Sequence, residues 1–157
     1  MTRLALLLGV CSLLLTACGR AWDAVNRDAL RDDVAHVLSV DPAKSSMRCG
    51  MVDATRSGYC LLPADASQVS AWSRDLGLDA RTASQEDVGS VPPLASEGPV
   101  GCLDPGIYGP IDGLPAYWIG GRPNALGLSG GGQFEYLLLL FDEAASQACV
   151  QVSYAYG

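Results

Sequence analysis

The chain of 157 residues carries 17 Asp and Glu against 10 Lys and Arg, a net charge of −7. That balance excludes the clustered cations needed to neutralise nucleic-acid phosphates, and it excludes electrostatic adhesion to anionic lipid. His36 is the only His, so a metal centre or acid–base relay built on two imidazoles is also excluded.

The first element is an export signal. Arg3 gives a short positive start, residues 4–15 form an apolar run, and small residues follow. The run is shorter than the roughly 20 apolar residues a membrane span needs. Leu15-Thr16-Ala17-Cys18 closes it and resembles the lipobox of bacterial lipoproteins. Leu15 fits poorly at the third-last position of an ordinary secretory cut, where small residues are preferred, but it suits a lipobox. The resemblance implies a diacylglyceryl group on the Cys18 thiol, cleavage before Cys18, and acylation of the new amine with a palmitate-type chain. Two or more acyl chains anchor stably, at about 0.8 kcal/mol per buried CH₂. Gly19 follows Cys18, not the Asp associated with inner-membrane retention, which points to an outer membrane facing the periplasm where the cell has one. Residues 1–17 are then a leader, Cys11 departs with it, and 18–157 form one domain of 140 residues with a net charge of −8.

Four Cys remain, Cys49, Cys60, Cys102 and Cys149, spaced by 11, 42 and 47. An even number in an exported chain predicts two disulfides among three possible connectivities. A four-thiolate zinc site would bring its ligands in closely spaced pairs, which these are not.

Residues 22–39 predict a helix, with Leu30, Val34, Val37 and Leu38 on one stripe and Asp41-Pro42 as its stop. It begins four residues after Cys18, so it should lie near the headgroups. Residues 46–62 predict a β-hairpin with a four-residue turn at 53–56. That turn sets Cys49 opposite Cys60, where a close cross-strand pair can meet disulfide geometry. By elimination Cys102 joins Cys149. Residues 66–76 predict a second helix. Asp65 and Gln68 offer a capping box, Val69, Trp72 and Leu76 an apolar face, and Gly77-Leu78 a left-handed stop.

Residues 79–99 are polar and rich in Pro and Ser, and read as a long surface loop with one helical turn near 84–88. Residues 100–132 are rich in Gly and Pro, with apolar islands at 100–103 and 117–119 that suit short strands. The near-continuous apolar run 134–141 suits a strand covered on both faces. Residues 147–155 alternate as in a strand with one wet face, and a turn at 142–146 joins the two. The whole predicts an α+β domain, two helices packed on a small antiparallel sheet, disulfide-stapled and loop-rich.

Chemistry is sparse. Gly127-Leu128-Ser129-Gly130-Gly131 matches the G-x-S-x-G nucleophile pattern, but a strand follows it where a helix is required, and His36 lies upstream, the wrong order for Ser, acid, His. The run Gly130-Gly131-Gly132 lacks the helix and Lys of a phosphate loop. Asp32 and His36 form an i, i+4 pair beside Asp33. Tyr108, Tyr117 and Trp118 could stack on a glycan or grip a partner, and Asp104 and Asp112 supply carboxylates nearby. These features imply no catalytic set, no metal and no cofactor. The expectation is a membrane-anchored envelope lipoprotein with a non-catalytic binding or scaffold role. Its partners would be the membrane, through Cys18, and an envelope protein or glycan. The alternatives are a small-ligand or protein-capture module using loops 104–132, and a cell-envelope hydrolase using Ser129 or Asp104 and Asp112.

Overall fold

The computed structural model describes residues 25–52, 57–82, 101–120, 126–127 and 133–154. Helix α1 occupies 25–37 and is followed by strands β1 (Arg48–Met51) and β2 (Ser57–Pro63), then helix α2 (Ala66–Leu76). Strand β3 (Asp79–Thr82), a 3₁₀ turn at Gly101–Leu103, β4 (Pro115–Gly120), the two-residue β5 (Leu126–Gly127), β6 (Gln133–Asp142) and β7 (Gln147–Tyr154) complete the chain. The strands form one antiparallel sheet in the order β1-β2-β7-β6-β4-β3, with β5 paired to the start of β6. The fold is α+β.

The β1–β2 hairpin has the predicted register. Cys49 is opposite Cys60, and Val52 N–H donates to the Ser57 carbonyl at 2.8 Å. Counting back in twos from that bonded pair puts Cys49 and Cys60 at a non-hydrogen-bonded site, where strands approach most closely. Their Cα atoms are 4.1 Å apart and the disulfide is formed. Cys102 and Cys149 form the second.

Both helices end by the same device. At α2, Gly77 adopts φ 63°, and Gly77 and Leu78 N–H donate to the Arg74 and Ser73 carbonyls. At α1, Ser39 takes the same left-handed conformation (φ 55°), and Ser39 and Val40 donate to His36 and Ala35. The helix therefore stops at 37 rather than 39, and Ser39 stops it rather than Asp41-Pro42, which opens the next turn. The capping box of α2 is complete: Gln68 N–H donates to Asp65 Oδ1 at 2.9 Å, and Asp65 N–H to Gln68 Oε1 at 3.0 Å.

The sheet is buried on both faces. On one, α1 and α2 lay Leu30, Val34, Leu38, Val69 and Trp72 against Cys60, Leu62, Leu137, Leu139, Phe141, Ala148, Val150 and Val152. On the other, residues 101–114 lay Cys102, Leu103 and Ile111 against Leu61, Tyr136, Leu138, Leu140 and Cys149. This second cover overturns the expected wet face of β7, where Gln151 and Ser153 are buried beside Cys149. The β6 run is covered on both sides, as its composition predicts. A bulge at Glu135, between Phe134 and Tyr136, turns Phe134 to the helix face. There it meets the Tyr154 ring edge-on at 5.0 Å.

Two further expectations are corrected. The loop reading of 79–99 fails at its start, because Asp79–Thr82 pairs with β4 as an edge strand. In the island expected at 100–103 the described residues Gly101–Leu103 form a 3₁₀ turn rather than a strand, while the island at 117–119 lies within β4. The helical turn near 84–88, the hairpin turn 53–56 and the residues 1–24 fall outside the described residues.

Candidate functional site

Among the described residues a concavity lies where three chain reversals meet: the turn after α1, the β2–α2 corner and the β6–β7 turn. It is a cleft of about 480 Å³ whose lining includes Asp41, Lys44, Ser46, Asp65, Trp72 and Ser146. Leu62, Ala64 and Trp72 form a buried apolar floor. The rim is polar because each reversal needs side-chain or αL backbone support. Asp41 accepts the Ala43 N–H at 3.0 Å and pairs with the Lys44 ammonium at 3.2 Å. Ser46 and Ser146 sit at φ 48° and 49°, a conformation unusual outside Gly, Asn and Asp. The Ala64 N–H donates to the Ser146 carbonyl at 3.1 Å, which ties the β2–α2 corner to the β6–β7 turn.

Asp65 is the best-held carboxylate of the rim. The Ser67 hydroxyl and then the Gln68 N–H donate to it, and they hold its carboxyl below the usual range. Lys44 is the sole Lys of the chain; its side chain is 85% exposed and its ammonium, paired with Asp41, stands at the rim. The lining contains no His and no Cys. An apolar floor with a rim of hydroxyls, carboxylates and one ammonium suits a small polar ligand or a polar segment of a partner.

The residues singled out by sequence are dispersed. Tyr108 packs on the loop-covered face, and its hydroxyl is shared between the Gln147 carbonyl at 2.8 Å and the Leu140 carbonyl at 3.2 Å. Burial pushes its phenol above the ordinary range. Tyr117 packs against the helix-covered face, so the two tyrosines lie on opposite sides of the sheet. Trp118 is placed by backbone register alone, between Asp79 and Leu138.

Asp104 accepts the Gly106 N–H at 2.8 Å and shapes the turn that follows. Asp112 is exposed in the next turn. His36 is exposed on α1, while Asp33 accepts the Tyr154 hydroxyl at 3.0 Å. Burial raises the Asp33 carboxyl above its usual range against the lowering effect of that bond. Ser129 and residues 130–132 fall outside the described residues, and the element after them is the strand β6. Cys18 also falls outside them.

Among the described residues no group of three or more His, Cys, Asp or Glu could hold a metal ion, and no helix is long and apolar enough to cross a membrane. Compared with protein-family models, curated proteins and solved structures, the chain matches none of them. The cleft therefore rests on geometry alone. Sequence reasoning named two of its parts, the Asp65–Gln68 capping box and Trp72. It missed that Lys44, Ser46 and Ser146 join them, because that meeting depends on how three turns pack.

Proposed function

We propose that this chain is a lipid-anchored protein of the bacterial cell envelope, with a non-catalytic binding or scaffold role carried by the cleft at Lys44, Asp65, Trp72 and Ser146. The observation that carries the reading is Leu15-Thr16-Ala17-Cys18 after a short charged and apolar lead. Two disulfides downstream support it, because such bonds persist in oxidising compartments outside the cytoplasm. Acyl chains on Cys18 give the domain its membrane attachment without any lipid-binding surface of its own. Six residues separate Cys18 from residue 25. Even fully extended, the seven Cα-to-Cα steps from Cys18 to residue 25 span at most about 25 Å, so α1 stays near the headgroups.

The Cys18→Ser variant tests the anchor. It should move the protein from the membrane fraction to the soluble fraction of the envelope, and retention on the membrane would refute lipid anchoring. Lys44 tests the cleft. With the amino terminus acylated it is the one reactive amine of the mature chain, so an amine-reactive crosslinker applied to intact cells acts at the cleft rim. A crosslinked envelope component that is lost when Ser146→Arg crowds the cleft, with Lys44 kept, supports the reading. A crosslinking pattern unchanged in that variant contradicts it.

A further inference from the structure

The two disulfides differ in access. Cys102 and Cys149 are both fully buried beneath residues 101–114. In the other pair Cys60 is fully buried but Cys49 is only half-buried, on the edge strand β1. Cys49 opens into a depression of about 190 Å³ that it lines with Arg27, Asp28, Arg31 and Met47. Arg27 and Arg31 stand one helical turn apart on α1.

The depression carries both charges: Arg27 and Arg31 bring two cations to it, Asp28 lines it with them, and Asp32 lies beside Arg31. Asp28 and Asp32 oppose the arginines, but they contact Arg31 only at 3.7 and 3.6 Å and their side chains are 71% and 60% exposed. Arg48, beside Cys49 on β1, is exposed, and the Tyr59 ring of β2 packs on the opposite face of the sheet. A thiolate is the nucleophile of disulfide exchange, and nearby cations both attract it and stabilise it.

The geometry points to Cys49–Cys60 as a thiol-exchange site, with Cys49 the sulfur that forms the mixed disulfide, Cys60 the buried leaving sulfur, and Arg27 and Arg31 the groups that receive the incoming thiolate. The co-reactant is an external thiol. Its thiolate attacks Cys49 Sγ, the Cys49–Cys60 bond breaks, and the electron pair departs on Cys60 Sγ, which takes a proton from water. A second thiol attacks the external sulfur of the mixed disulfide and frees Cys49. Two external thiols become one disulfide, and the protein gains two electrons and two protons. This activity goes beyond the anchored binding role and does not depend on it.

The test uses the folded, oxidised protein and glutathione at graded concentrations and low salt, with alkylation and peptide mapping at each time. Cys49–Cys60 should open at least about tenfold faster than Cys102–Cys149, with the glutathione adduct on Cys49. Arg27→Gln with Arg31→Gln should slow opening several-fold, added salt should remove that difference, and the corresponding double Lys variant should keep the wild-type rate. Equal opening rates for the two disulfides, an adduct on Cys60, or a rate indifferent to the arginine charges would overturn the assignment.

Discussion

The two faces of the sheet are covered in different ways. On one, α1 and α2 supply regular apolar stripes, and their caps satisfy the helix ends. On the other, residues 101–114 contain one 3₁₀ turn and two further turns, with no periodic stripe. That cover is held by discrete fasteners: the Cys102–Cys149 bond, the Cys102 N–H donated to buried Gln151 Oε1 at 2.9 Å, and the Tyr108 hydroxyl on two strand carbonyls. A helix satisfies its own backbone and needs only to bury a face. An irregular segment must find each hydrogen-bond partner separately, and here a covalent bond offsets the entropy of ordering it.

Breaking the fasteners should expose that contrast. Replacing Cys102 and Cys149 by Ala should cost about 4 kcal/mol in urea unfolding, because the bridge closes a 47-residue separation. Replacing Cys49 and Cys60 should cost about 3 kcal/mol, because theirs is 11. Hydrogen exchange should also rise across 101–114 in the first variant and stay unchanged there in the second. A smaller loss, about 1–2 kcal/mol, is expected for Gln151→Leu, which strands the buried Cys102 N–H. Gln151 Nε2 itself has no partner among the described residues, which places the cost at the low end.

The helix-covered face gives smaller effects. Ser39→Gly should raise stability by about 0.5 kcal/mol, since Gly adopts the left-handed stop of α1 without a Cβ penalty. Gly77→Ala should lower it by about 1 kcal/mol at the matching stop of α2. Equal and negligible shifts would mean that the two stops do not fix the helix ends. The pH dependence supplies the finest test. The folded-state pKa of Asp33 is raised, so folding favours its protonated form and the ionised form destabilises. That penalty is absent below the ordinary value of 3.8 and grows as pH rises through the raised one. Asp33→Asn should therefore gain on the wild type between pH 4 and pH 7 in urea midpoints. Asp65 is lowered instead, so its contribution is present above 3.8 and is lost as pH falls through its depressed value.

Legibility in sequence followed the same division. The register of Cys49 and Cys60, the bounds of α2 and the double burial of β6 were readable because local pattern and turn length decide them. The Ser39 stop was hidden because Gly, not Ser, marks that conformation. The burial of Gln151 and Ser153 was hidden because their cover, 101–114, has no periodicity to announce it. β3 was hidden because Asp79 and Arg81 mark an edge strand only once β4 is beside them. The cleft was legible at its capping box and not as a cleft, since its other walls are turns distant in sequence.

The most direct test of the functional account is the intact mass of the native protein extracted from its own membranes. The account predicts a chain that starts at Cys18, carries a diacylglyceryl group and an amide-linked acyl chain there, and holds Cys49, Cys60, Cys102 and Cys149 as two disulfides. A retained leader, an unmodified Cys18, or four free thiols would contradict it.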